Sequence, residues 1–170
     1  YFQKKDYANA LKYADLYAIT TPEEFQPIKL KNDILIAQGD KAKAEAALIE
    51  YTGKNQHDPQ VKKSLVNLYR NDKRYADAIV YQRQLAALSS RNPGDALFDL
   101  AKLFVMAGQS DSVLTVINDA ASAGFSDYRR LQRSSEFEPL RVLPGYAEAI
   151  KKMPAEKQPA YSPTFFPFSQ

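Results

Sequence analysis

Apolar side chains recur along this chain at the spacing of one helix face. Val61, Leu65, Leu68 and Tyr69 are separated by four, three and one positions, and Leu97, Leu100, Ala101, Phe104 and Val105 repeat the pattern. Such spacing follows a helical turn of about 3.6 residues and predicts amphipathic helices with one buried stripe. The punctuation between these stretches agrees. Asp58-Pro59 and Asn92-Pro93 each put a side-chain acceptor ahead of a proline, which is well tolerated in a first helical turn. Thr21-Pro22-Glu23-Glu24 has the form of a capping box, with a carboxylate three residues after the cap. Pro27 would disturb an interior turn, so that helix is expected to begin nearer Phe25.

The pattern is periodic. Lys5-Asp6-Tyr7-Ala8-Asn9-Ala10, Gly39-Asp40-Lys41-Ala42-Lys43-Ala44 and Lys73-Arg74-Tyr75-Ala76-Asp77-Ala78 align, and their last alanines stand 34 residues apart both times. A fourth copy, Gly108-Gln109-Ser110-Asp111-Ser112-Val113, follows 35 residues later with valine at the alanine position. A period of this length filled with helical patterning describes stacked helix hairpins, none of which can bury its apolar face alone.

The repeat resembles the tetratricopeptide family, whose unit is two antiparallel helices with a small residue where they pack closely. Ala10, Ala44 and Ala78 match that small position, and Gly39 and Gly108 match the glycine of the inter-helix turn. Tyr7 and Tyr75 match the aromatic after the turn, Tyr69 and Phe104 the aromatic late in the first helix, and Pro22 the proline after the second. The resemblance covers residues 1–123; Val113 and Lys41 depart from its pattern. It implies an all-α fold, a right-handed superhelix of about four antiparallel helix hairpins in a solenoid. It also implies a concave groove lined by the first helices of successive repeats.

The two ends are read differently. Tyr1 and Phe2 fall where the first helix of the first repeat should end, so the next helix is expected to expose part of its stripe at Leu11, Ala14 and Ile19. The reading is that the natural chain extends N-terminally, with a homodimer through that end as the competing account. Beyond residue 123 the period stops. Ala123-Gly124-Phe125 reads as a helix ending at glycine, and Ser126-Asp127 as the cap of a short helix carrying Tyr128 and Leu131. Ser135 to Arg141, then Leu143-Pro144-Gly145-Tyr146, resemble the closing segment of some bacterial tetratricopeptide arrays. A final amphipathic helix with Tyr146, Ala149, Ile150 and Met153 would complete capping helices over 124–153, leaving Glu148, Lys151 and Lys152 to water. Residues 154–170 hold four prolines and are expected to form an extended tail. Its Tyr161, Phe165, Phe166 and Phe168 are expected to pack back on the domain, the alternative being a docking peptide for a partner or a neighbouring copy.

Composition narrows the function. With 45% hydrophobic and 25% charged residues, a chain of 170 residues can bury a core, which excludes disorder throughout. Its net charge of +3 is scattered rather than gathered in a basic stripe, which argues against a nucleic-acid partner. No apolar run approaches the roughly 18 residues of a membrane span. The chain has no cysteine, which rules out disulfides, thiolate nucleophiles and cysteine-held metals and favours the bacterial periplasm or another extracytoplasmic site over the cytoplasm. The one histidine, His57, reads as a loop spacer before Asp58-Pro59. No nucleophile elbow, phosphate-binding glycine loop or zinc-binding helix motif occurs, so no catalytic activity, cofactor or metal is expected.

What remains is recognition. The repeat register places Lys29 and Asp33, then Lys63, Asn67 and Arg70, then Phe98, Lys102 and Met106 on the groove. Lys63, Asn67 and Arg70 share one helix face and could take a carboxylate or an acidic peptide, with Phe98 and Met106 as an apolar pocket beside them. Some family members grip a C-terminal carboxylate with lysine and asparagine of one repeat and further donors of the next. Lys63 and Asn67 match the first pair, but Asp99 stands where asparagine is required and would repel a carboxylate, so that clamp is not inferred. The expected function is a non-catalytic scaffold that binds a peptide or protein segment. The alternatives are the C-terminal regulatory domain of a larger enzyme, a hydrolase or kinase, or a structural protein that self-assembles through its N-terminal end or aromatic tail.

Overall fold

The computed structural model describes residues 6–142 and 144–151. Its helices are α1 (Tyr7–Thr20), α2 (Gln26–Gln38), α3 (Lys41–Lys54), α4 (Pro59–Asn71), α5 (Tyr75–Leu88), α6 (Pro93–Met106), α7 (Ser110–Ser122), α8 (Tyr128–Arg133) and α9 (Pro144–Lys151). A 3-10 helix, Ser135–Leu140, separates α8 from α9. The described residues contain no strand, and successive helices from α1 to α7 pack on one another as an α solenoid. None of these helices is long and apolar enough to cross a membrane.

The repeated alanines explain how the helices approach. Ala44 and Ala78 are sealed from solvent at 0% exposure and Ala10 at 6%; Val113 occupies the same place in the fourth copy at 0%. Each small side chain starts a helix (α1, α3, α5 or α7) and lets it lie close to its neighbour. The turns before three of those helices share one geometry. Gly39 has φ 87° and Gly108 φ 71°, and the corresponding residue between α4 and α5 is Lys73, with φ 58°. In each case the two amides after the helix fold back onto its last carbonyls: Gly39 and Asp40 onto Ile36 and Leu35, Lys73 and Arg74 onto Arg70 and Tyr69, Gly108 and Gln109 onto Val105 and Phe104. This left-handed C-terminal cap normally selects glycine because a Cβ is disfavoured there. Lys73 adopts it without that advantage.

Helix starts follow the sequence unevenly. The Asp58 side chain accepts from the Gln60 N–H at 2.7 Å, with Pro59 in the first turn of α4. Asp127 accepts from the Arg130 N–H and opens α8. Asn92 precedes Pro93 at the start of α6, but its side chain makes no capping bond. The Thr21 capping box does not form. Thr21 closes α1, its hydroxyl donating to the Tyr17 carbonyl, and α2 begins only at Gln26. Pro27 decides this: placed in the first turn of α2, its missing N–H leaves no helical bond unmade.

One apolar core runs from Phe25 to Ala149, and a small separate cluster holds Ala10, Ala14 and Ile34. In the larger core Phe98 lies between Phe125, stacked at 4.5 Å between centroids, and Phe137 at 5.4 Å. The start of α6 comes so close to the backbone after α7 that a Cβ on Gly94 would sit 2.5 Å from the Phe125 nitrogen. The 3-10 helix lies on α6 and α9 on α7. Between them they seal Phe137, Leu140, Tyr146 and Ala149, while Glu148 and Lys151 stay exposed. Leu143, Lys152, Met153 and the tail of residues 154–170 lie outside the described residues.

Candidate binding cleft

A cleft of about 610 Å³ opens between α4 and α6, with α5 as its floor. The α4 wall is a single stripe of Pro59, Lys63, Val66, Asn67 and Arg70, and the α6 wall is Asp95, Asp99, Lys102, Leu103 and Met106. Spacings of three and four hold each set on one helix face. Gln82, Leu85 and Leu88 come up from α5, and Ser89, Ser90, Arg91 and Asn92 form a rim from the following loop. Gln82 is buried because its amide donates to the Ala96 carbonyl at 2.9 Å, tying the floor to the α6 wall.

The charges of the two walls are in different states. On α4, Lys63 is exposed and has no ion-pair partner among the described residues, and Arg70 donates to the Asn67 side-chain oxygen at 3.2 Å. On α6 every charge is engaged from outside the repeats. Arg130 of α8 reaches over with one nitrogen 2.8 Å from Asp95 and the other 2.8 Å from Asp99, its guanidinium lying 4.5 Å over the Phe98 ring. Lys102 pairs with Glu136 of the 3-10 helix at 2.9 Å. Loss of water against the cleft wall pushes the Asp99 carboxyl up from its ordinary value, and the Arg130 and Lys102 charges oppose that push. With the side chain still 52% exposed, the desolvation is partial.

Lys63, Asn67, Arg70, Lys102 and Met106 therefore line one cleft. Lys29 and Asp33 do not join it: they lie on α2 and pair with each other at 2.7 Å. Phe98 does not face the cleft either. It is 1% exposed and belongs to the aromatic core, because the open stripe of α6 runs through Asp95, Asp99, Lys102 and Met106, one position round the helix. Leu85, Leu88 and Leu103 supply the apolar surface that Phe98 was expected to give. His57 is exposed and no imidazole lines the cleft. Among the described residues no three His, Asp or Glu side chains are grouped to hold a metal ion.

Compared with known proteins, the chain matches no protein-family model and no curated sequence.

Proposed function

We propose that this chain is a tetratricopeptide-type, non-catalytic interaction module that holds an extended acidic segment of another protein in the cleft between α4 and α6. The observation that carries this reading is the asymmetry of the walls. Lys63 and Arg70 present donors toward an open, partly apolar channel, while the opposing Asp95 and Asp99 are already satisfied by Arg130. Four cations line the channel against two carboxylates, with Leu85, Leu88, Leu103 and Met106 beneath. Carboxylates of a bound segment would receive charge-assisted hydrogen bonds from the α4 wall, and its apolar side chains would cover the leucines. Two neighbouring bonds of that kind can set an orientation as well as an affinity.

The test is fluorescence anisotropy with random-sequence peptide pools, one rich in Glu and Leu and one rich in Lys and Leu. The unmodified protein is expected to retain the acidic pool, and Lys63→Glu with Arg70→Glu to lose it by about tenfold or more. Arg130→Ala leaves both aspartates unpaired and is expected to move the preference toward the basic pool. Equal retention of both pools by the unmodified protein would sink the reading.

A further inference from the structure

A second groove, of about 580 Å³, lies between α3 and α5 and is lined by Ile49, Thr52 and Gly53, by Gln56 and His57 of the loop before α4, by Lys62, and by Tyr81, Gln84, Ala87 and Leu88. Its position differs from that of the cleft: α5 turns Gln82 and Leu85 to the cleft and Tyr81, Gln84 and Ala87 to this groove, with Leu88 walling both. Lys62 sets its chemistry. The residue is 3% exposed, a burial that lysine almost never shows without a partner. Yet among the described residues nothing accepts a hydrogen bond from its ammonium and no carboxylate pairs with it.

The rest of the lining matches a lone cation. No aspartate or glutamate lines the groove; two amide side chains, a phenol and an imidazole do, above an apolar wall of Ile49, Ala87 and Leu88. Gly53 leaves open space there, since a Cβ built on it meets nothing within 4 Å. A buried lysine lining a carboxylate-free, half-apolar groove is complementary to one negative charge attached to an apolar body. We propose that this groove is a binding site for a small amphipathic carboxylate, its head on Lys62 and its hydrocarbon part against Ile49, Ala87 and Leu88. The volume suits a small molecule, within the range of about 300–1,000 Å³ common to such sites. This site stands whether or not the cleft between α4 and α6 binds a peptide.

The experiment is an amide and side-chain NMR titration of the full chain with octanoate and, in parallel, with neutral octanamide. Octanoate is expected to give saturable shifts at Gly53 and at the side-chain amides of Gln56 and Gln84, while Asn67 and Ala96 of the cleft stay in place. Octanamide is expected to bind about tenfold more weakly, the loss of one charge-assisted contact. Lys62→Met keeps the buried stem and is expected to make the two ligands equal. Gly53→Phe is expected to fill the groove and abolish both titrations. No saturable shift at the octanoate solubility limit, equal binding of the two ligands by the unmodified protein, or shifts confined to the cleft would each overturn the assignment. Should Lys62→Met lose its helical circular dichroism, the ligand pair on the unmodified protein decides alone.

Discussion

The first helix hairpin and the middle of the solenoid come from the same repeat, yet they are held together very differently. Between α4 and α7 the helices share one core with aromatic residues at its centre, closed by the segments after residue 127. At α1 and α2 the separate cluster rests on two alanines and one isoleucine, and α1 leaves Tyr13 52%, Leu16 56% and Ile19 76% exposed. Asn32 in α2 is buried with its side-chain oxygen unpaired. A period in sequence therefore transmits geometry from unit to unit without transmitting stability. In a linear stack each unit draws its stability from its interfaces, and the buried apolar cluster at α1 is small.

The joint between the two regions is Tyr51. Its ring meets Phe25 at 5.5 Å, and its hydroxyl lies 3.2 Å from both the Glu23 carbonyl and the Asp58 carboxylate. Beside it Tyr69 donates to Glu45, which also pairs with Arg74, and Lys41 pairs with Asp72. These contacts are largely polar. The aromatic stack around Phe98 is not.

The largest expected effect comes from breaking the stronger side. Phe137→Ala removes a ring at 0% exposure and is expected to cost about 3–5 kcal/mol, read from the urea midpoint by circular dichroism. A loss below about 1 kcal/mol would mean that the C-terminal cap does not share the core's cooperativity. Next, native-state hydrogen exchange should show the amides of α1 opening at a free energy lower than those of α6 by about 2 kcal/mol or more. Equal protection would abolish the comparison.

The joint itself can be tested by pH. Burial, together with the nearby Asp58 carboxylate, pushes the Tyr51 phenol up to about 12. A phenol held above its ordinary value binds its proton more tightly in the folded state. That contribution is complete below about pH 10 and is lost as pH rises through about 12. Tyr51→Phe is expected to flatten the alkaline limb of stability by about 1–2 kcal/mol, and an unchanged limb would place the alkaline loss elsewhere. The smallest effect expected is a gain. Asn32→Leu replaces a buried amide whose oxygen is unpaired with an apolar group of similar size and should stabilise α2 by about 1 kcal/mol, bringing the α1 and α2 exchange rates toward the rest.

Much of this architecture is legible in the sequence because its signals are local. Pro59, Pro93, Gly39 and Gly108 mark ends that backbone sterics alone require, and Ala44 and Ala78 mark close approach. The Thr21 box was misleading because Pro27 sets the start of α2 a turn later. Lys73 shows the opposite case: the turn geometry persists where its usual residue is missing, so its place could be found only by the period. In the cleft, Lys63, Asn67 and Arg70 stand on a helix with a clear polar face and were readable. Phe98 was not, since Leu97, Phe98, Leu100, Ala101, Leu103 and Phe104 surround much of α6 with apolar residues and blur its orientation. The role of Arg130 is invisible to any local pattern, because it meets Asp99 across 31 residues of chain.

That last contact changes what counts as a unit. The walls of the cleft belong to the repeats, but the guanidinium that balances them belongs to the segment that follows. Without the residues from α8 onward, Asp95 and Asp99 would lose the Arg130 charge that now sits between them. The charge balance of the cleft is therefore set past the boundary of the repeat.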